Sequence, residues 1–237
     1  MNSIGYTVRE SRRAGRVGLR VSVSEGLVVT IPFGFDAAKI PGILHSKRRW
    51  LEGALARVEE RRAFVASQRP AEPPDHMRLL AIGQEWSIGY RRTGARGATV
   101  AEESPGRLIV AGNIDDAASC RAALRLWLAH TAHGHLVPLL KELATEEGFK
   151  VGRVIVRLQR TRWGSCSKTG TISLNLKLLF LHPDVVRYVL LHELCHTLRM
   201  DHSAKFWAIA RQHMPDCREH DKKLRAAWRL VPAWIYM

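Results

Sequence analysis

Two histidines one helical turn apart bracket a carboxylate in the string His192-Glu193-Leu194-Cys195-His196. In a helix an i, i+4 pair projects from one face, so both imidazoles can reach the same metal ion, and neutral imidazole nitrogen suits zinc. Glu193 lies about 80° round the helix from the midline of that pair. It stands beside the metal position, placed to take a proton from a water whose pKa zinc lowers to roughly 7. Two ligands are too few for a stable site, so a third protein donor is required, with the fourth position left to water. His202 is the nearest candidate; Asp216 and Glu219 are carboxylates that could serve instead. The chain holds 11 histidines, so this spacing alone arises by accident roughly a few times in a hundred. Its surroundings must decide.

Those surroundings read as a built element. Pro183 suits the first position of a helix and Asp184 its positive end. Val186, Leu190 and Leu194 then share one face, Tyr188, His192 and His196 roughly the opposite one, while Val185, Val189 and Leu191 make the helix apolar nearly all round. Such a helix should be buried. Ser203 looks like the cap of a further helix over 204–214. Upstream, 153–159 and 171–179 read as strands, 167–170 as a turn, and Arg162-Trp163-Gly164-Ser165-Cys166 as a bend between strands. Trp163 is expected to pack beneath the helix, Cys166 and Cys195 to be buried thiols, and His130, His133 and His135 to face solvent or pack.

Taken in order, Arg162-Trp163-Gly164-Ser165-Cys166, Ile172-Ser173-Leu174-Asn175, the helix ending in His192–His196, then His202-Ser203, Phe206-Trp207 and Pro215 resemble the YgjP-like metallopeptidase family. The match is strong over about 150–216 and diffuse before it. The family is similar to the SprT-like and related zincin peptidases. The resemblance implies a zincin-like catalytic half, zinc on His192, His196 and His202, and Glu193 as catalytic base. Because zincins commonly bind an extended peptide along an edge strand beside the active helix, it also implies that strand 171–176, with Asn175, lines such a cleft. Two positions depart from related patterns: Arg199 stands where metzincins carry a turn glycine, and Cys195 where many relatives carry a small residue.

The expected fold class is α+β: a strand-rich N-terminal portion, then a catalytic half of helices against a small sheet. Residues 19–32 read as a hairpin and 36–68 as a helix carrying Trp50, Leu51, Leu55 and Val58; 78–92 and 106–112 read as further strands. A helix begins at 115, with Leu124, Trp127, Leu128 and Thr131 on one stripe and Gly134 and Pro138 expected to kink or interrupt it. Three prolines in 69–75 mark a linker, and the domains are expected at 1–115 and 116–237. The four cysteines form no CxxC pair, and the basic start lacks an apolar stretch behind it. Both favour reduced thiols in the cytoplasm, and no run is long enough for a membrane span.

The expected activity is zinc-dependent hydrolysis of peptide bonds in a protein or peptide. The alternatives are a nucleic-acid-associated protein with a structural or vestigial zinc site, and a hydrolase of non-peptide amides. Lys and Arg number 37 against 22 acids, a net charge of +15, which attracts polyanions. Lys150, Arg153, Arg157, Arg160 and Arg162 cluster without acids, and Arg12, Arg13, Lys47, Arg48 and Arg49 add two more groups. Non-specific nucleic acid is therefore a possible partner, although no base-reading motif is present.

Overall fold

The first part of the chain holds the expected antiparallel strand pair. The computed structural model describes residues 5–22, 25–67 and 73–236, and these fall into two compact units divided at Arg69/Pro70. In the first, β1 (Tyr6–Ser11), β2 (Gly18–Ser22) and β3 (Gly26–Pro32) form a sheet of order β1-β3-β2. β2 runs antiparallel to β3, with Leu19 opposite Val29, and β1 lies parallel to β3. The helical stretch is two helices, α1 (Ile40–Ser46) and α2 (Arg48–Ser67). Leu51 and Ile40 close a small core with Leu27, Val29 and Ile31, whereas Trp50, on the expected apolar stripe, is exposed. Of the expected linker, residues 69–72 lie outside the described residues.

The second unit opens with β4 (His76–Leu79), β5 (Gln84–Arg92), β6 (Ala98–Ser104) and β7 (Arg107–Gly112), in the order β4-β5-β7-β6. Helix α3 (Ala117–Glu146) follows. Leu79, Trp86, Leu108 and Val110 share one core with Leu124 and Leu128 of α3. The expected division at 115/116 thus cuts through a continuous core, because these strands bury apolar side chains in the core they share with α3. Pro138 does not break α3 either. Ahead of it stands Gly134, and the buried row Leu124, Leu128, Ala132, Leu136, Leu140 continues past it. Burying each leucine contributes about 1.5–3 kcal/mol, enough to offset the roughly 3 kcal/mol an internal proline costs.

A second sheet, β8 (Val154–Arg157), β9 (Gly164–Cys166) and β10 (Ile172–Asn175), has the order β8-β10-β9. β10 is parallel to β8 and antiparallel to β9. The stretch read as a bend is therefore partly a strand, and 171–179 is a short strand followed by a 3-10 helix over Leu176–Phe180. Helices α4 (Pro183–Leu198), α5 (Ala204–His213) and α6 (Cys217–Ala226) complete the unit. The chain is a mixed α/β protein, strand-rich in its N-terminal half and helical in its C-terminal half. Among the described residues no helix is long and apolar enough to cross a membrane.

Candidate metal centre

α4 is buried on nearly all sides, as its composition requires: Val186, Leu190 and Leu194 are at most 1% exposed. Its remaining face carries Tyr188, His192 and His196. After α4 the chain turns through Arg199–His202 without glycine. Arg199 N–H bonds the Cys195 carbonyl, and Asp201 Oδ1 accepts from Ser203 N–H. That turn brings His202 back over the helix.

The three imidazoles converge. His192 Nε2 lies 3.0 Å from His202 Nε2 and 3.2 Å from His196 Nε2. All three ligand atoms fall within 4.8 Å of one another. Tetrahedral zinc with bonds of ~2.0–2.1 Å places its nitrogens ~3.3 Å apart, so the spacing fits that ion. The chemistry of the donors fits as well. The Arg199 carbonyl, 3.0 Å from His196 Nδ1, can only accept, so Nδ1 carries the proton and Nε2 is bare. His192 Nδ1 faces Tyr188 Oη at 3.4 Å, and that hydroxyl donates to Asp221 at 3.4 Å. Burial, then the neighbouring His196 and His202, pushes the His192 pKa down to about 4, with Asp221 opposing. Burial lowers His196 too. Burial therefore favours neutral His192 and His196, whose nitrogens crowd together with that of His202, an arrangement that a cation relieves.

Glu193 is 6% exposed, and among the described residues its Oε2 has no hydrogen-bond partner. Burial pushes its pKa up to about 7, against the pull of the Arg162 guanidinium. It is backed by β9: a Cβ on Gly164 would meet Glu193 Cγ and Oε1 at 2.7 Å. Only glycine lets strand and carboxylate lie this close.

A cleft of about 380 Å³ has His192, Glu193, His196 and His202 on its wall, together with Gly164, Ser165 and Cys166 of β9. Exposed Arg162 and Met200 also line it. β9 is an edge strand. Asn175 N–H bonds the Trp163 carbonyl and Ser167 N–H the Thr171 carbonyl, and ladder alternation then turns the N–H and C=O of Gly164 and Cys166 away from β10. The cleft-lining strand is thus β9. The strand expected there, 171–176, is central, and its paired residues Ile172–Asn175 are all buried, because α4 packs against β9 and the core closes over β10. Asn175 is 1% exposed and does not line the cleft.

Other expected residues fall as follows. Asp216 and Glu219 do not join the histidine group; Asp216 instead bonds His220 at 3.0 Å. Trp163 packs at the edge of the main core. Cys195 is buried, but Cys166 is half-buried in the cleft. His130, His133 and His135 are exposed. The sequence reading missed Arg162 and Gly164 as site residues, since neither has a spacing tied to the histidines.

The model of the YgjP-like metallopeptidase domain family matches residues 15–227, and the chain belongs to that family. A metallopeptidase family implies a divalent metal, and the histidine triad is a group able to hold one. No curated protein matches the chain. Among solved structures, the metallopeptidase zymogen abylysin of Pyrococcus abyssi is 26% identical, over 38% of this chain and 92% of its own, with a TM-score of 0.35. The zymogen jannalysin of Methanocaldococcus jannaschii is 21% identical over 39% and 96%, also at 0.35. Wss1 from Saccharomyces cerevisiae is 18% identical over 63% and 98%, at 0.29.

Proposed function

We propose that this chain is a zinc peptidase in which His192, His196 and His202 hold the ion and Glu193 moves the proton. The observation that carries the reading is the convergence of three imidazole nitrogens beside a buried carboxylate oxygen that has no hydrogen-bond partner among the described residues. When bound, zinc supplies Lewis acidity, polarising an amide carbonyl and acidifying water. Glu193 accepts the water proton on a carboxylate oxygen and returns it to the departing amine. An extended peptide can add to the open edge of β9, where Gly164 and Cys166 offer backbone donors and acceptors. Among the described residues no fourth protein ligand joins the triad, which favours a reaction centre over a structural zinc site.

Metal analysis with peptide-library cleavage tests the reading. One zinc per chain is expected, lost in His196→Ala and His202→Ala and kept in Glu219→Ala. Glu193→Gln should keep zinc while turnover falls roughly 10²-fold or more. Full occupancy in His196→Ala, or undiminished turnover in Glu193→Gln, rejects the assignment.

A second reading, sequence-independent contact with nucleic acid, draws on Lys150, Arg153, Arg157, Arg160 and Arg162. All five are exposed, and among the described residues none forms an ion pair. Duplex DNA should then bind with a steep loss of affinity as salt rises; no binding at low salt removes this reading.

A further inference from the structure

The chain between β8 and β9 has to cross the end of β10, since those two strands flank it on opposite sides. The crossing, residues 158–163, is fastened from below by buried polar groups. Asn175 Nδ2 donates to the Gln159 carbonyl at 2.9 Å and to the Arg162 carbonyl at 2.6 Å. Lys177 Nζ donates to the same Gln159 carbonyl at 2.7 Å and lies 4.4 Å from the centre of the Tyr236 ring. Gln159 Nε2 in turn donates to the Ser173 carbonyl at 3.2 Å.

Lys177 is 2% exposed and Asn175 1%. Burying an ammonium group is costly unless it is well partnered, and an apolar turn would close the crossing without it. The clamp is what fixes the backbone of Arg162. That residue is an exposed cation in the cleft, and its charge acts on Glu193 without pairing with it. Among the described residues Arg162 makes no ion pair, so its forked donors remain available to an incoming anion.

We propose that the clamped crossing 158–163 is the specificity element of this cleft, and that Arg162 binds a carboxylate of the peptide, either an acidic side chain near the cut bond or the chain terminus. The proposal rests on the peptidase reading for its substrate class, and its test reads binding separately from turnover. The probes are alanine hexapeptides with Glu or Gln at each position in turn, amidated at the C-terminus, plus one all-alanine peptide as free acid and as amide. Each is titrated against the zinc-loaded full chain carrying Glu193→Gln, followed by calorimetry, and against the active chain for kcat/KM.

Glu at one or two positions, or the free terminus, should bind roughly tenfold or more tightly than its neutral partner, the strength of one charge-assisted contact. Adding Arg162→Gln should bring that ratio to about one. Which arm shows the preference tells a side chain from a terminus. Equal binding within every pair, a preference that survives Arg162→Gln, or displacement only by duplex DNA each overturns the proposal. Absence of turnover together with a carboxylate preference in binding would remove the peptidase reading and leave the anion site standing.

Discussion

Glu193 combines deep burial with a missing hydrogen bond, and the consequence can be read in stability as well as in catalysis. An ordinary glutamate titrates near 4.5, and burial moves this one to about 7. Between those values the metal-free folded chain keeps a proton that the unfolded chain has released, so this contribution makes stability fall as pH rises from 4.5 to 7. His192 works the other way. Its pKa drops from 6.5 to about 4, so its contribution is full above 6.5 and is lost as pH falls toward 4. The two oppose each other over most of this window in the wild type. Glu193→Gln removes one of them. Metal-free Glu193→Gln should be more stable than metal-free wild type by on the order of 2 kcal/mol at pH 8, allowing for the new amide's own unmet hydrogen bond. Near pH 5 the gap should close. Urea unfolding of both chelator-treated proteins at the two pH values measures it; a gap independent of pH would show that the carboxylate is not destabilised by burial.

At the scale of elements, what the sequence discloses depends on how local the determining physics is. α4, its start at Pro183 and its histidine face follow from a 3.6-residue period and a cap, all within one stretch of chain. The convergence of His192, His196 and His202 was legible for the same reason, since a short turn leaves few other positions for His202. The β2–β3 pair joins strands that are near neighbours in the chain, so it is equally local. β9 is different. Three residues are too few to show alternation, and its pairing with β10 is settled by the Ser167–Gly170 turn and by α4 closing over Gly164. β1 and β6 escaped notice because as edge strands they expose much of their length and need no apolar alternation. The expectation that Asn175 lines the cleft follows from taking strand 171–176 as the edge beside the active helix, whereas the edge is β9. The function of Asn175 is to hold Gln159 and Arg162 from beneath, a contact between residues more than ten apart that no spacing rule reveals. The domain boundary was misplaced for a similar reason. Strands 76–112 look like a continuation of the earlier strands, and only their shared core with α3 shows where they belong.

For the whole molecule, that core decides how far the chain can be divided. The family match runs over 15–227 and so takes in both units, yet every residue of the candidate site lies between Arg162 and His202 in the second. The second unit holds the large continuous core, from Met77 to Ile235, which includes the faces of α3 and α4 behind the histidines. Among the described residues the first unit's cluster is small, built on Leu27, Val29, Ile31, Ile40 and Leu51, with Val28 and Ala54 also buried. A small domain of that kind is marginal by itself. The fragment 73–237 should therefore fold alone, unfold cooperatively in urea and bind one equivalent of zinc, whereas 1–72 should show no cooperative transition. Circular dichroism with urea titration, and metal analysis of each purified fragment, read both halves of this expectation. If 73–237 held no zinc while the full chain did, the first unit would be part of what builds the metal centre, and placing the whole site on α4, β9 and the His202 turn would have to be abandoned.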